Sequence, residues 1–322
     1  MHRDPTSRAR AYASTLNRLG WSLMVFFVAL YIFSFASEIV IMTVESFGND
    51  IVTDITDGLL SPFCYMAPFF IGGIFFYLIS RRKETQRIVY EVKLPAFFPL
   101  LIFAGFAVIT ASSYINSILC DLIGYSMPEE LFAQTYDNPY TVIAYMATAL
   151  APAFAEEFLF RGVVYGNLRP FGRTQAILIS AALFALMHQN IGQIFYTFMA
   201  GIVMALMYEL TGSIWCGVLY HMINNQMSII YEVLYYGMYG ESIEPLLTAW
   251  DALMCILGIG AILILVFYFK KKNREQGTVA PVREALPPWA IRKGLTTSGM
   301  IMFTIASVVS MGFIYLLITF LY

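Results

Sequence analysis

Charge is what this chain has least of. Asp, Glu, Lys and Arg make up 12% of its 322 residues while 59% are hydrophobic, whereas a soluble domain is about one quarter charged. Mean hydropathy is +0.70, so a soluble globular core is excluded and a polytopic membrane protein is expected. The four cysteines, Cys64, Cys120, Cys216 and Cys255, stand singly in apolar segments with no Cys-x-x-Cys spacing. That argues against a disulfide framework or a cysteine metal site. There is no Gly-x-Ser-x-Gly and no His-Glu-x-x-His, so the serine elbow and the soluble zinc-protease helix are both missing. No internal repeat is visible, and the first apolar stretch, 19–44, is too long for the core of a cleavable signal peptide. Histidine is scarce at three residues, yet two of them, His188 and His221, fall in apolar segments.

A bilayer core takes roughly 20 apolar residues per helix. The pattern predicts an all-α polytopic transmembrane helical bundle of about nine spans, near 19–44, 58–80, 96–123, 140–168, 174–190, 192–210, 213–238, 246–269 and 297–321. With that count every basic loop falls on one side: Arg3 to Arg18, Arg81 to Lys93, Arg169 with Arg173, and Lys270 to Lys293. The opposite loops hold no Lys or Arg and carry acids instead, among them Asp57, Glu129, Glu130, Asp137, Glu241 and Glu244. The positive-inside rule then puts the N-terminus in the cytoplasm and the C-terminus outside. The fifth and sixth spans are short and joined at Gln189–Gly192, which reads as a tight hairpin with a buried turn. The prolines of loop 270–296 argue against a continuous helix there, and Trp289 beside Arg292 and Lys293 suggests a segment on the inner interface.

Against this apolar background a few ionisable groups sit where hydrocarbon makes them expensive. Glu156 and Glu157 are adjacent in Ala-Phe-Ala-Glu-Glu-Phe-Leu-Phe-Arg, 153–161. On a helix Glu157 and Arg161 share a face four residues apart, the favoured order for an ion pair, while Glu156 lies about 100° away. Glu157 and Arg161 therefore read as structural and Glu156 as the reactive carboxylate. His188 closes the fifth span; His221 and Asn225 share a face of the seventh. Counted from the basic ends by helix rise, Glu156 and His188 are about 20 Å deep, His221 about 12 Å and Asn225 about 18 Å. Four groups on three helices thus fall in one layer. A glutamate and a histidine sharing a water describe a general base and its partner, and a second histidine with an asparagine can donate to an oxyanion. Alternatively, Glu156, His188 and His221 are three ligands of a catalytic zinc. The spacing does not choose between no cofactor and zinc. Glu209, Asp121 and Asp251 near span ends read as solvated or interfacial, and Trp21, Tyr220 and Trp250 as interface anchors.

The order Glu156-Glu157-x-x-x-Arg161, Phe184-x-x-x-His188, His221-x-x-x-Asn225 resembles the CPBP family of intramembrane proteases, which includes CAAX prenyl endopeptidases and the bacteriocin-processing and self-immunity proteins of the Abi group. The resemblance covers about 140–235 and implies an intramembrane endopeptidase in which Glu156 and His188 activate water, His221 and Asn225 form the oxyanion site, and Glu157, Arg161 and Phe184 support them. It implies three regions: spans 1–139, a catalytic core 140–245, and spans 246–322 with the 270–296 loop. The implied partners are a peptide or membrane-anchored protein substrate and the lipid bilayer, with no nucleic acid, in the plasma membrane of a prokaryotic cell. An ion-coupled transporter and a non-catalytic membrane or immunity partner are the rival readings of the same polar groups.

Overall fold

The computed structural model describes residues 5–48, 50–80, 85, 86, 88, 91–125, 150, 152–276 and 286–321. Among these it is entirely helical. The elements are α1 (Pro5–Glu45), α2 (Asp50–Ile79), α3 (Phe98–Leu122), α4 (residues 152–168), α5 (Arg173–Met187), α6 (Ile194–Thr211), α7 (Ile214–Glu232), α8 (Glu244–Gln276), α9 (Pro288–Leu295) and α10 (Ser298–Leu321). Six of them, α1, α2, α3, α6, α8 and α10, are long and apolar enough to cross a membrane. The expected count of nine is reached only by adding α4, α5 and α7, the helices that carry the candidate site. The first ten residues of the expected fourth span, 140–149, and the loop residues Arg81, Arg82, Lys83, Arg87, Glu129, Glu130, Asp137, Pro281 and Arg283 lie outside the described residues.

The basic segments meet at one end of the bundle. Arg8 Nη2 donates to Phe171 O at 2.7 Å. The backbone N–H of Gln86 donates to Asn167 Oδ1 at 2.8 Å, and that of Lys93 to Ser213 Oγ at 3.3 Å. From that end α3, α5 and α7 lead away and α6 returns, with Gly212 (φ +71°) closing α6 in the left-handed conformation that glycine adopts without strain.

Helices in lipid associate through close backbone approach rather than hydrophobic burial. A Cβ on Gly20 of α1 would lie 2.2 Å from the carbonyl carbon of Gly299 on α10, and one on Gly258 of α8 would lie 2.4 Å from Phe103 O on α3. Around these crossings a single buried apolar cluster runs from Leu16 and Phe26 through Phe160 to Met204 and Phe303.

Two expectations change here. α1 begins at Pro5 rather than near 19, and its 41 residues carry it beyond the bilayer. In the 270–296 segment, α8 continues through Lys270, Lys271 and Lys272 to Gln276 because lysine and arginine are good helix formers. Pro288 then opens α9, where a first-turn proline is tolerated. Gly294 of α9 packs against Tyr12 and Leu16 of α1, and Trp289 points outward.

Candidate active site

The polar centre begins at an irregularity of α4. Directly after Glu157 the helix widens into a π-helical segment, Phe158–Tyr165, in which all eight residues are buried. Such segments are rare and occur frequently at functional sites. Ser180 Oγ on α5 donates to Phe160 O at 2.9 Å, satisfying a carbonyl within the widened stretch.

Arg161 Nη1 lies 2.9 Å from Glu157 Oε1, with both side chains at most 1% exposed. The expected ion pair is therefore present, and it is fully desolvated. Nη2 of Arg161 donates to Gly201 O on α6 at 3.1 Å. The guanidinium carbon sits 4.5 Å from the ring centre of Phe184, a cation–π contact. The same Phe184 ring packs edge-on to His188 at 4.6 Å and to His221 at 6.0 Å. Phe184 is thus the apolar spacer between the ion pair and both imidazoles.

His221 on α7 stands between the two glutamates. Its Nδ1 is 3.2 Å from Glu157 Oε1 and its Nε2 is 3.7 Å from Glu156 Oε2. A carboxylate oxygen accepts, so Nδ1 donates to Glu157, while Nε2 lies beyond hydrogen-bond distance of Glu156 Oε2. His188 Nδ1 faces Phe184 O at 2.8 Å. Glu156 Oε1 accepts from Tyr65 of α2 at 2.7 Å, while Oε2 is buried and has no hydrogen-bond partner.

A cavity of about 600 Å³ lies against this centre. His188, His221, Asn225, Asn224, Tyr196 and Asn116 are among its walls. His188, His221 and Asn225 thus line one cavity, and Glu156 approaches His221. His221, not His188, makes the described approach to Glu156.

Residues 138–227 match the family model described as type II CAAX prenyl endopeptidase Rce1-like. The match agrees with the CPBP resemblance and takes in every candidate residue from Glu156 to Asn225. No curated protein and no solved structure matches the chain. Several apolar helices flank the matched segment, which supports a multi-pass membrane protein.

Within the Rce1-like segment the three proposed zinc donors are not arranged as a ligand set. Among the described residues no group of three His, Cys, Asp or Glu side chains is gathered for a metal ion. His221 has a carboxylate opposite each ring nitrogen, and Glu156 Oε1 is taken by Tyr65. The chemistry below is accordingly derived without a metal.

Several participants escaped the sequence reading. Tyr65 lies outside the Rce1-like segment, and nothing in its surroundings in the sequence marks it. Gly217 carried a signal only in its spacing, four residues before His221. A Cβ there would lie 2.9 Å from Glu157 Oε2, so glycine lets α7 reach the carboxylate. Asn224 Nδ2 donates to Tyr196 Oη at 2.8 Å, beside Asn225. Tyr220 is not an interface anchor: it is 1% exposed and packs on Gly105 of α3, because α3 crosses α7 there. Glu209 is held among exposed arginines, by Arg169 at 2.7 Å and Arg173 at 2.9 Å, and by the Tyr165 hydroxyl. Asp251 accepts from Tyr114 at 3.1 Å and from Tyr231, and Asp121 lines the cavity.

Proposed function

We propose that this chain is an intramembrane endopeptidase that hydrolyses a peptide bond with water activated by Glu156. The reading is carried by the two unlike oxygens of that carboxylate: one is held by Tyr65, and the other is buried, unbonded and 3.7 Å from His221 Nε2. A buried acceptor without a partner is costly and is kept in native proteins for a reason. A water donating to Glu156 Oε2 supplies the missing hydrogen bond and turns a lone pair of its oxygen outward.

In the reaction the water oxygen attacks the carbonyl carbon of the scissile bond as its proton passes to Glu156. The imidazoles of His188 and His221 orient the water. The amide of Asn225 donates to the oxyanion, and Glu156 returns the proton to the leaving amine as the C–N bond breaks. Glu157 and Arg161 hold His221 and Phe184 in place. A peptide or a membrane-anchored protein is the substrate class that the Rce1-like match supports.

The test is cleavage of a quenched membrane-peptide library by the purified full-length chain. Glu156→Gln and His188→Ala are expected to lower cleavage at least about a thousandfold, within the range of removing a general base, while gel filtration shows an intact inserted protein. Cleavage retained by Glu156→Gln would end the proposal.

A further inference from the structure

The active-site cavity has a direction. Ser213, where α7 starts, is held by the backbone of Lys93 at the basic end of the bundle. Between that end and His221 most of α7 is buried, with Trp215 and Leu219 partly so. On α7, Ile214, Cys216, Gly217, Val218 and Tyr220 are buried, and on α4 every residue from Phe158 to Tyr165 is buried, with Leu168 after them. Beyond His221 the character of α7 changes. Asn224, Asn225, Ser228 and Glu232 line the cavity at helical spacing, a stripe about 12 Å long leading away from the basic end. α3 matches it: its cavity-lining residues, Ser113, Asn116, Ser117, Cys120 and Asp121, all lie in its last ten positions, at the end far from Lys93.

The walls carry charge of one sign. Asp121 and Glu232 line the cavity, and among the described residues no Lys or Arg does. A second cavity of about 490 Å³ shares Ser117, Ser228 and Glu232 with the first and extends to Asp251, again in the half of the bundle far from the basic segments. Tyr220 adds a buried hydroxyl with no hydrogen-bond partner at the cavity wall.

We infer that substrate reaches the imidazoles from the membrane face that carries the acid loops, opposite the basic end, through a channel between the polar stripes of α3 and α7. By the positive-inside rule this is the extracytoplasmic face, and the occupant is a peptide segment presented there. That the occupant is cleaved rests on the peptidase reading; the direction of access does not.

The two are separated by thiol labelling in sealed membrane vesicles of both orientations. In a full-length chain with the four cysteines replaced by alanine, Ser117→Cys and Ser228→Cys report the channel. Ser46→Cys marks the acid-loop face and Arg274→Cys the basic face. The probe is a small, cationic, membrane-impermeant methanethiosulfonate. Ser117→Cys and Ser228→Cys are expected to react at least tenfold faster in the vesicles in which Ser46→Cys reacts. Reaction in the vesicles that label Arg274→Cys, equal reaction in both, or reaction in neither would overturn the inference. Labelling needs no turnover, so an inactive protein that labels as expected refutes the peptidase reading alone.

Discussion

The Tyr65 hydroxyl donates to Glu156 Oε1 at 2.7 Å across 91 positions of the chain. It leaves Oε2 as the oxygen that faces His221. A hydrogen bond to a charged group is worth about 1.5–3 kcal/mol. Tyr65→Phe is therefore expected to lower kcat by about tenfold to a hundredfold with little change in KM. Steady-state kinetics would check this. A rise in KM at constant kcat would show that Tyr65 touches substrate instead.

Breaking the buried ion pair leaves an uncompensated charge, which costs about 3–5 kcal/mol. Arg161→Ala is expected to melt well below the parent in detergent. Arg161→Lys, which keeps the charge but not the fork that spans Glu157 and Gly201 O, should fall between. Equal melting temperatures for Arg161→Ala and the parent would contradict the burial of the pair.

Gly217 allows α7 to sit against Glu157. Gly217→Ala places a methyl 2.9 Å from Glu157 Oε2, and relief requires α7 to shift, carrying His221 with it. Overpacking of this kind costs about 1–3 kcal/mol. A loss of cleavage out of proportion to the loss of stability is expected, measured as activity and melting on the same preparation.

Because no group of three His, Cys, Asp or Glu side chains is gathered for a metal ion among the described residues, a strong chelator such as phenanthroline is expected to leave the cleavage rate within about twofold, less than the loss that removing a metal Lewis acid brings. Inhibition reversed by added zinc would restore the metal alternative.

Much of the architecture was legible from hydropathy. The hairpin of α5 and α6, expected at 174–190 and 192–210, is found at Arg173–Met187 and Ile194–Thr211. Its turn uses Gln189 in a left-handed conformation, φ 52°, with the side chain accepting from Tyr31 and Ser310. That strain has no signature in the sequence, since glutamine is not a residue that favours it. From α10, Ser310 also pins the turn beside His188. The assignment of partners to the imidazoles was less legible. Helix periodicity relates residues on one helix and says nothing of which face another helix presents, so it could not show that His221, rather than the His188 paired with Glu156 by resemblance, makes the approach to that carboxylate.

By itself the amino-acid order determined that the protein is helical and apolar and that Glu157 pairs with Arg161. These follow from local spacing and from the high cost of charge in hydrocarbon. Only the tertiary structure decided that His221 stands between the two glutamates and that Tyr65 holds Glu156. Those depend on how helices distant in the chain cross, which is set by close contacts such as Gly217 against Glu157 and Tyr220 against Gly105.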